Sequence, residues 1–503
     1  MHDDIWTTHG DIGIIVSSTV SFGCEIEIAR RFIKISVTRT RANELVVKAK
    51  RAENFGYSLF VFYSHRSPTL ATEMDHLPDE LIRAVFCEAV TLPKTVLYHD
   101  RSYFLEANET LAAQSYLLAA VSHRWREICL TTAELWTYIP FSKRNDWRSL
   151  TFIERNLARS RDQPLTIVLD VMDGPDRHLA STLKLLVEHA SRWLRVHIKL
   201  DNECPIIQKI QLMQACASCS MPMLEELIIE HGRSDRQLAV YESTQLPECP
   251  RLVRLTNHLG ILTPATTLNA LRYLSLSIRD TNEAHLWATL SMTPTLQYLD
   301  VYFAEDVDEL DQASLAPEHD IHLPLLTSFA VIGNPRMGTP WAERLHIPNL
   351  KTLTLSVESC HRLGTLYQTL WSPNLHLILM SMSSGNCGTL YIADVEELRS
   401  LRGVSTLEIF GFTSTLSDNG FFHALMADAR QDGTCWAARF TQLVLRDCDF
   451  DTEMIREVAL FVRMRASAAA ADKDAPRLEV QWIACSHEED EVGPNWLSDR
   501  WIY

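Results

Sequence analysis

The stretch Pro294-Thr295-Leu296-Gln297-Tyr298-Leu299-Asp300-Val301 carries the pattern that decides the fold of this 503-residue chain. A leading leucine follows a proline by two positions, and apolar residues come three and five positions after that leucine. Apolar residues two positions apart predict a short strand with one buried face, and the proline ends the preceding segment. The pattern recurs with leading residues Leu224, Leu252, Leu296, Leu326 and Leu350, without the proline at Leu271, Val404 and Phe440, and with a weak copy near Leu375.

The spacing of these copies predicts a repeat protein of the α/β class. Consecutive leading residues are 19 to 54 positions apart, and the longest interval contains the weak copy. Amphipathic segments between copies, such as 282–291, predict helices that return the chain to the next strand. The tail 476–503 is predicted to form a closing cap, with alternating Leu478, Val480 and Trp482 on an edge strand.

These copies resemble degenerate leucine-rich repeats, and the resemblance implies an irregular solenoid over 141–475. In that family an Asn or Cys eight positions after the leading residue bonds the turn backbone, and only Asn334 and Cys448 match here. The alternative is an unrelated α/β domain whose parallel strands begin at prolines. Solenoids usually bind partners through outward-facing strand residues, and tyrosine and arginine are favoured at binding hot spots. Strand alternation gives the predicted target-binding residues Tyr273, Tyr298, Asp300, Tyr302, Phe410 and Arg446.

A different pattern lies upstream of the repeats. The stretch Leu77-Pro78-Asp79-Glu80-Leu81-Ile82 opens a predicted helix, because proline suits its first position and acidic residues suit its positive end. A second helix carries Val121 and Trp125 at helical spacing. Thr131 and Glu134 have the offset of a capping box that opens a short third helix. An ordinary helical subdomain is the alternative interpretation of such apolar stripes.

Together these upstream residues resemble the F-box in its F-box-like form, with Leu-Pro-x-Glu-Leu-Ile at the opening and Ser-x-x-Trp-Arg, then Leu-Trp, at the close. The resemblance implies a small three-helix module over 74–140. It also implies docking to a Skp-type adaptor and, through it, to a cullin-RING ubiquitin ligase. The adaptor-binding residues that it implies are Leu77, Pro78, Leu81, Ile82, Val85, Phe86, Val121 and Trp125.

Residues 1–73 form an N-terminal extension with no clear architecture, although alternation in Cys24–Ile28 predicts one short strand. Met74 stands directly before the F-box-like helix, which suggests an alternative start. The hypothesis is that the first 73 residues are dispensable for adaptor binding and solubility.

Composition and motifs narrow the function classes. A net charge of -17 argues against nonspecific nucleic-acid binding and against an anionic membrane surface. Twelve scattered cysteines favour free thiols in a reducing compartment, so a cytoplasmic or nuclear location is expected. No hydrolase, phosphate-binding or dinucleotide motif occurs, so no enzyme activity, cofactor or metal site is predicted. Cys216 and Cys219 have metal-ligand spacing, but without a second pair core packing is the preferred interpretation.

The sequence therefore predicts a non-catalytic substrate receptor of an SCF-type ubiquitin ligase. The F-box-like module would hold the adaptor, and the solenoid would hold an unidentified protein target for ubiquitin-dependent degradation. Two alternatives stay open: an interaction scaffold without ubiquitin transfer, and a hydrolase whose site is assembled from distant residues.

Overall fold

The structure is a computed structural model, and its described residues form two compact units. The first unit is drawn from 1–186 and 192–199, and the second from 187–191 and 200–503. The described ranges are 25–28, 33–39, 45–51, 77–90, 113–142, 150–171, 178–200, 204–231, 244–259, 262–278, 283–303, 319–333, 344–356, 371–381, 401–412, 421–422, 425, 440–450, 452–471, 477–483, 485–487 and 501–502.

The first unit begins with an antiparallel three-stranded sheet and continues into helices and three further strands. The opening sheet has the order β1-β2-β3, and its first strand covers the stretch where alternation predicted one. The later strands have the order β6-β5-β4, with β4 parallel to β5. The elements are β1 (Glu25–Ile28), β2 (Ile33–Arg39), β3 (Leu45–Arg51), α1 (Asp79–Val90), α2 (113–121), α3 (His123–Thr131), a 3₁₀ helix (Ala133–Trp136), β4 (Tyr138–Ser142), α4 (Leu150–Arg159), β5 (Leu165–Val171), α5 (Leu179–Val187) and β6 (Trp193–Leu200).

One predicted domain boundary falls inside a strand of this unit. The end of the F-box-like module was placed at residue 140, whereas β4 spans that position and pairs along its length with β5. Side chains also join the upstream helices to α4. The Tyr116 hydroxyl donates to Asn156 Oδ1 at 2.8 Å, and the Arg159 guanidinium lies 4.3 Å from the Trp136 ring centre. The module is therefore continuous with the first β-α-β segment in chain and in packing.

The second unit is built around a large, mainly parallel sheet. Its strand order is β7-β9-β11-β12-β14-β16-β17-β18-β19-β21-β23, and neighbouring strands from β7 to β21 are parallel. Each predicted repeat copy, the weak one near Leu375 included, contains one of these strands. The strands are β7 (Glu226–His231), β9 (Arg254–Asn257), β11 (Tyr273–Ile278), β12 (Tyr298–Phe303), β14 (Ser328–Gly333), β16 (Thr352–Ser356), β17 (Trp371–Met380), β18 (Arg402–Phe410), β19 (Gln442–Arg446), β21 (Glu479–Ile483) and β23 (Trp501–Ile502).

Shorter elements connect these strands. Helices occur where amphipathic returns were predicted: α6 (Ile206–Ala217), α7 (Glu283–Ser291) and α8 (Thr452–Ala471). The unit also contains pairs of short parallel strands: β8 (Thr244–Leu246) with β10 (Leu262–Pro264), β13 (Ile321–His322) with β15 (Leu345–His346), and β20 (Asp449–Phe450) with β22 (Ser486–His487).

Strand register explains why the repeated spacing builds one core. The second apolar residue of each copy pairs with its equivalent in the next strand, as Leu299 does with Phe329 and Phe329 with Leu353. Residues of this row are 0 to 1 % exposed. In a parallel sheet such in-register rows bury apolar surface continuously, because side chains two positions apart share a face. The row comprises Leu227, Leu255, Leu274, Leu299, Phe329, Leu353, Leu377, Leu407, Leu443 and Val480.

Two cysteines occupy equivalent turn positions in the last two copies. The Cys448 thiol donates to the carbonyl of Ile409 at 3.5 Å, and the Cys485 thiol donates to the carbonyl of Leu445 at 3.3 Å. Each thiol therefore bonds a carbonyl of the strand before its own, as the repeat pattern suggested for Cys448. Asn334, the other residue that fits the pattern, lies outside the described residues.

The predicted edge strand near the C-terminus is not an edge. β21 pairs with β19 on one side, and β23 pairs antiparallel on its other side, with Val480 opposite Trp501. The prediction was wrong because local alternation identifies a strand but carries no information on a chain segment that returns from 20 residues later. The antiparallel pairing covers backbone groups that an edge strand would expose.

Candidate functional site

The helical part of the first unit has a closed apolar core. Phe86 of α1 meets Trp125 of α3 edge to face, with ring centroids 4.8 Å apart. The Trp136 indole N–H donates to the carbonyl of Cys129 at 2.8 Å, so its polar atom is satisfied inside the core. The core consists of Leu77, Ile82, Phe86, Val90, Leu118, Trp125, Ile128, Cys129, Leu135 and Trp136.

Polar contacts fix the start of α3 against the start of α1. Ser122 is the N-cap of α3, and its hydroxyl accepts from the backbone N–H of Trp125 at 3.1 Å. Arg124 donates to Asp79 Oδ1 at 2.5 Å and to the carbonyl of Leu77 at 2.5 Å. Within the Ser-x-x-Trp-Arg motif, Ser122 thus caps α3 and Trp125 is buried in the core. Arg124, at the second variable position of the motif, bonds the start of α1.

The capping box that was predicted to open the short third helix, which is the 3₁₀ helix Ala133–Trp136 of the structure, is wrong. Thr131 is the last residue of α3, and its hydroxyl donates back to the carbonyl of Glu127 at 2.8 Å. Thr132 precedes the 3₁₀ helix and makes no side-chain cap hydrogen bond. The offset to Glu134 failed as a signal because α3 runs on to Thr131, where a threonine hydroxyl bonds the preceding turn equally well.

The predicted adaptor-binding residues divide into two groups in the structure. Four of them pack in the core and present no side chain to a partner: Leu77, Ile82, Phe86 and Trp125. The others lie at the surface. Pro78 is exposed, and Leu81, Val85 and Val121 are half-buried at the margin of the core.

One further apolar residue belongs with this exposed group. Leu117 of α2 lies one helical turn before Val121 and is 38 % exposed. The sequence showed it only as a member of an apolar stripe, because helical spacing does not separate core residues from those at the margin. Pro78, Leu81, Val85, Leu117 and Val121 are called the apolar rim below.

The outer face of the second unit's sheet carries the first group of predicted target-binding residues. The Tyr273 hydroxyl donates to Asp300 Oδ2 at 2.5 Å, and the Arg254 guanidinium lies 4.1 Å from the Tyr273 ring centre. Tyr298 pairs in register with Tyr273 and is 46 % exposed, and Tyr302 lies further along the same strand. These five residues are called the tyrosine cluster below.

Burial sets the ionisation of the tyrosine cluster. Desolvation raises the pKa of Tyr273, and the charge of Asp300 and the hydrogen bond to it act in the same direction. Desolvation also raises the pKa of Asp300, while the hydrogen bond from Tyr273 and the charge of Arg254 oppose that rise. Tyr273 is therefore a neutral donor held towards Asp300, and Tyr298 is the ring most available to a partner.

Of the other two predicted residues, Arg446 lies in a second cluster and Phe410 lies beside it. Glu408 forms an ion pair with Arg446, whose Nε lies 2.8 Å from its Oε1, and its Oε2 lies 3.0 Å from His376 Nε2. The contact with His376 lowers the pKa of Glu408 most, the charge of Arg446 adds to this, and desolvation opposes it. Phe410 is half-buried and pairs in register with Arg446. His376, Glu408 and Arg446 are called the Glu408 cluster below.

The sequence did not predict that these residues fall into two separate groups. Strands β14, β16 and β17 lie between β12 and β18. At about 4.8 Å per strand, the two clusters are about 19 Å apart along the sheet. His376 and Glu408 were missed because only the lateral register shows that they flank each other on neighbouring strands.

The Cys216 and Cys219 pair has the character of packing residues. Cys216 is buried, and desolvation raises the pKa of its thiol to about 12. Cys219 donates to the carbonyl of Ala215 in its own helix at 3.3 Å. Burial of Cys216 and the hydrogen bond of Cys219 to a backbone carbonyl are typical of packing residues.

Comparison with known proteins leaves the chain without an assigned family: no family model matches it, and no curated protein matches its sequence.

Within the described ranges, none of the helices has both the length and the apolar character needed to cross a membrane.

Proposed function

We propose that this chain is the substrate-recognition subunit of an SCF-type cullin-RING ubiquitin ligase. In this proposal the helices of the first unit dock a Skp-type adaptor, and the outer face of the second unit's sheet holds a protein target. The apolar rim carries the proposal. The core of the helical bundle is complete without it, yet Leu81, Val85, Leu117 and Val121 keep apolar surface exposed on two helices.

The composition of the rim favours a protein partner. Leu81, Val85 and Val121 all pack against the margin of one core, and apolar surface left at such a margin is typical of interaction sites. Pro78 and Leu81 belong to the opening motif that resembles the F-box, and Val121 stands directly before its closing motif. The residues that prompted the resemblance therefore supply both the core of the bundle and part of its exposed margin.

The second unit offers a surface suited to target recognition. Tyrosine rings and arginine side chains bury large areas while keeping hydrogen-bonding groups, which is why they are common binding hot spots. Tyr298, at 46 % exposed, and Arg446, whose side chain is 42 % exposed, lie in separate clusters on one sheet face. Five strand spacings separate β12 from β19, so a target that contacts both residues would span about 24 Å, which an extended segment of about seven residues covers.

The proposed mechanism is proximity. The receptor would hold a lysine of the target near a ubiquitin-charged enzyme and so raise its effective concentration, while other subunits carry out bond formation. An interaction scaffold would use the same sheet face without an adaptor. Adaptor binding is therefore the property that separates the two functions.

The test is co-purification of the full chain with a Skp-type adaptor. We expect a one-to-one complex with the unaltered chain and its loss in a variant with Leu81→Asp and Val121→Asp, since charge on the rim opposes apolar contact. Leu325→Asp is the matched control, because Leu325 is 45 % exposed and lies in the second unit. Far-UV circular dichroism establishes that all three proteins are folded.

Each result has a clear meaning. Binding by the unaltered chain and the control, with at least a tenfold loss in the rim variant, supports the receptor function. Failure of the folded, unaltered chain to bind any Skp-type adaptor would overturn it and leave the scaffold function.

A further inference from the structure

Two neighbouring repeats of the second unit share a motif that the target-binding proposal does not use. Ile321-His322-Leu323-Pro324 and Leu345-His346-Ile347-Pro348 precede successive strands of the large sheet. The first two residues of each motif form the parallel strands β13 and β15. In this pair His322 is the register partner of His346. The repeat thus brings two imidazoles side by side from positions 24 residues apart.

A carboxylate completes a group of three potential ligands. Asp320 Oδ2 lies 3.4 Å from His346 Nε2. The rings of His322 and His346 stack with centroids 4.8 Å apart and an interplanar angle of 13°. One donor atom from each residue can be chosen so that all three lie within 4.8 Å of one another.

The backbone beneath these side chains is well anchored. Ile321, Leu323, Leu345 and Ile347 alternate with the histidines and are 0 to 5 % exposed. The backbone N–H of Leu323 donates to the carbonyl of His346 at 3.0 Å, which ties the two motifs together. All three potential ligands are exposed. The backbone is thus fixed by burial while the ligand side chains remain free to adjust.

We propose that Asp320, His322 and His346 bind a divalent transition-metal ion of the Zn²⁺ type. Two imidazole nitrogens and one carboxylate oxygen form a mixed nitrogen and oxygen set that suits Zn²⁺, Co²⁺, Ni²⁺ or Cu²⁺, whereas Mg²⁺ and Ca²⁺ prefer oxygen alone. Three protein ligands leave at least one coordination position for water or for a group from another molecule.

Metal binding requires a small rearrangement of side chains. Ligands at about 2.0 to 2.1 Å from a tetrahedral ion are about 3.3 Å apart, which is close to the present distance between Asp320 and His346. The stacked His322 ring has to turn so that its nitrogen lone pair converges with that of its neighbour. Rotation of an exposed imidazole about its terminal torsion costs little, because that torsion is broad.

Arg344 orients the carboxylate for this role. Its Nη1 lies 3.9 Å from Asp320 Oδ1, while Oδ2 of the same carboxylate faces His346. One oxygen is thus held by a cation and the other is directed towards the proposed ion. Polar contacts behind a metal ligand that fix its direction are a regular part of metal sites.

The proposed ion would join two successive repeats through their side chains and leave a position open to a partner. The proposed metal site does not depend on the proposed function, because its ligands lie outside the apolar rim, the tyrosine cluster and the Glu408 cluster. Loss of metal binding and loss of adaptor binding can therefore be observed separately.

The test is titration of the full chain with Zn²⁺ and Co²⁺ after removal of metal by a chelator. The chain has 19 histidines and 12 cysteines, so the informative quantity is the difference between variants. We expect His322→Ala with His346→Ala to lose one equivalent of bound Zn²⁺, together with visible absorption of bound Co²⁺. Asp320→Asn, which keeps the side-chain shape, is expected to weaken binding at least tenfold.

His319→Ala is the matched control, because His319 is exposed and adjoins Asp320 without belonging to the group of three. Retention of full binding by this control, with loss in the double variant, supports the site. Equal stoichiometry and affinity in the unaltered chain and the folded double variant would overturn it, as would an equal loss in the His319 control.

Discussion

Truncation of Leu353 to alanine tests the central feature of the second unit, the row of apolar residues that crosses its sheet. Leu353 of β16 is 0 % exposed. It lies in register between Phe329 of β14 on one side and Leu377 of β17 on the other. Neighbours on both flanks are held by strand pairing, so the structure has little freedom to collapse into the space that the missing carbons leave.

The expected loss of stability follows from this environment. Leu→Ala removes three carbon atoms, which at about 0.8 kcal/mol for each buried methylene amounts to about 2.4 kcal/mol. A cavity that cannot collapse adds up to about 2 kcal/mol, so the total cost is about 2 to 5 kcal/mol. Leu325→Ala in the adjacent repeat is the matched control, because Leu325 is 45 % exposed and its truncation removes little buried surface.

Urea unfolding followed by circular dichroism measures the loss in the global free energy of unfolding. Native-state hydrogen exchange measures the loss of local stability around the substituted residue. The second measurement is needed because repeat arrays can unfold in parts, in which case one global free energy is poorly defined. We expect amides of β14, β16 and β17 to exchange faster in Leu353→Ala but not in Leu325→Ala. If both variants cost the same, Leu353 does not belong to a shared core and the deduced register is wrong.

Three other perturbations address separate features. Gly333 and Gly411 both have positive φ, but only a Cβ at Gly333 would lie 2.1 Å from a backbone oxygen, that of Phe303. Gly333→Ala should therefore lower the free energy of unfolding in urea by at least about 1 kcal/mol more than Gly411→Ala does. Equal losses would show that the close approach to Phe303 does not exist. Tyr298→Ser with Tyr302→Ser should leave the unfolding midpoint nearly unchanged and weaken target capture, whereas undiminished capture would move the binding surface elsewhere. When Cys485 ionises, the thiol of Cys448 can turn to donate to it, which lowers the pKa of Cys485. Because the thiolate is the nucleophile, alkylation of Cys485, followed by mass spectrometry of its peptide, should reach half of its maximum rate below about pH 8.5, and a midpoint at or above that pH would contradict this.

Much of the second unit was predictable because its signal is local and repeated. Apolar residues two positions apart predict a strand, and the same spacing in each copy lets neighbouring strands bury the same face. Even the weak copy at Leu375 forms a strand, although register shifts separate Trp371, Leu375 and His376 in its pairing with β18. Such an irregularity depends on both strands and cannot be read from one of them.

The helical module shows where local patterns stop being informative. Helical spacing identified the apolar side of α1, but Ile82 and Phe86 are core residues whereas Leu81 and Val85 lie at the margin. All four fall within one broad apolar stripe, and only packing against the other helices decides which are covered. The adaptor-binding residues that the resemblance implied were therefore a mixture of core and surface.

By itself, the sequence determined the mixed α/β class, the positions of the repeated strands and the outward direction of residues such as Tyr298. Only the tertiary structure decided which side chains meet across strands. The Glu408 cluster, the return of β23 beside β21, and the approach of His322 to His346 all arise from lateral register. The physical reason is that alternation depends on neighbours along the chain, whereas contacts between strands depend on the lengths and paths of the segments that connect them.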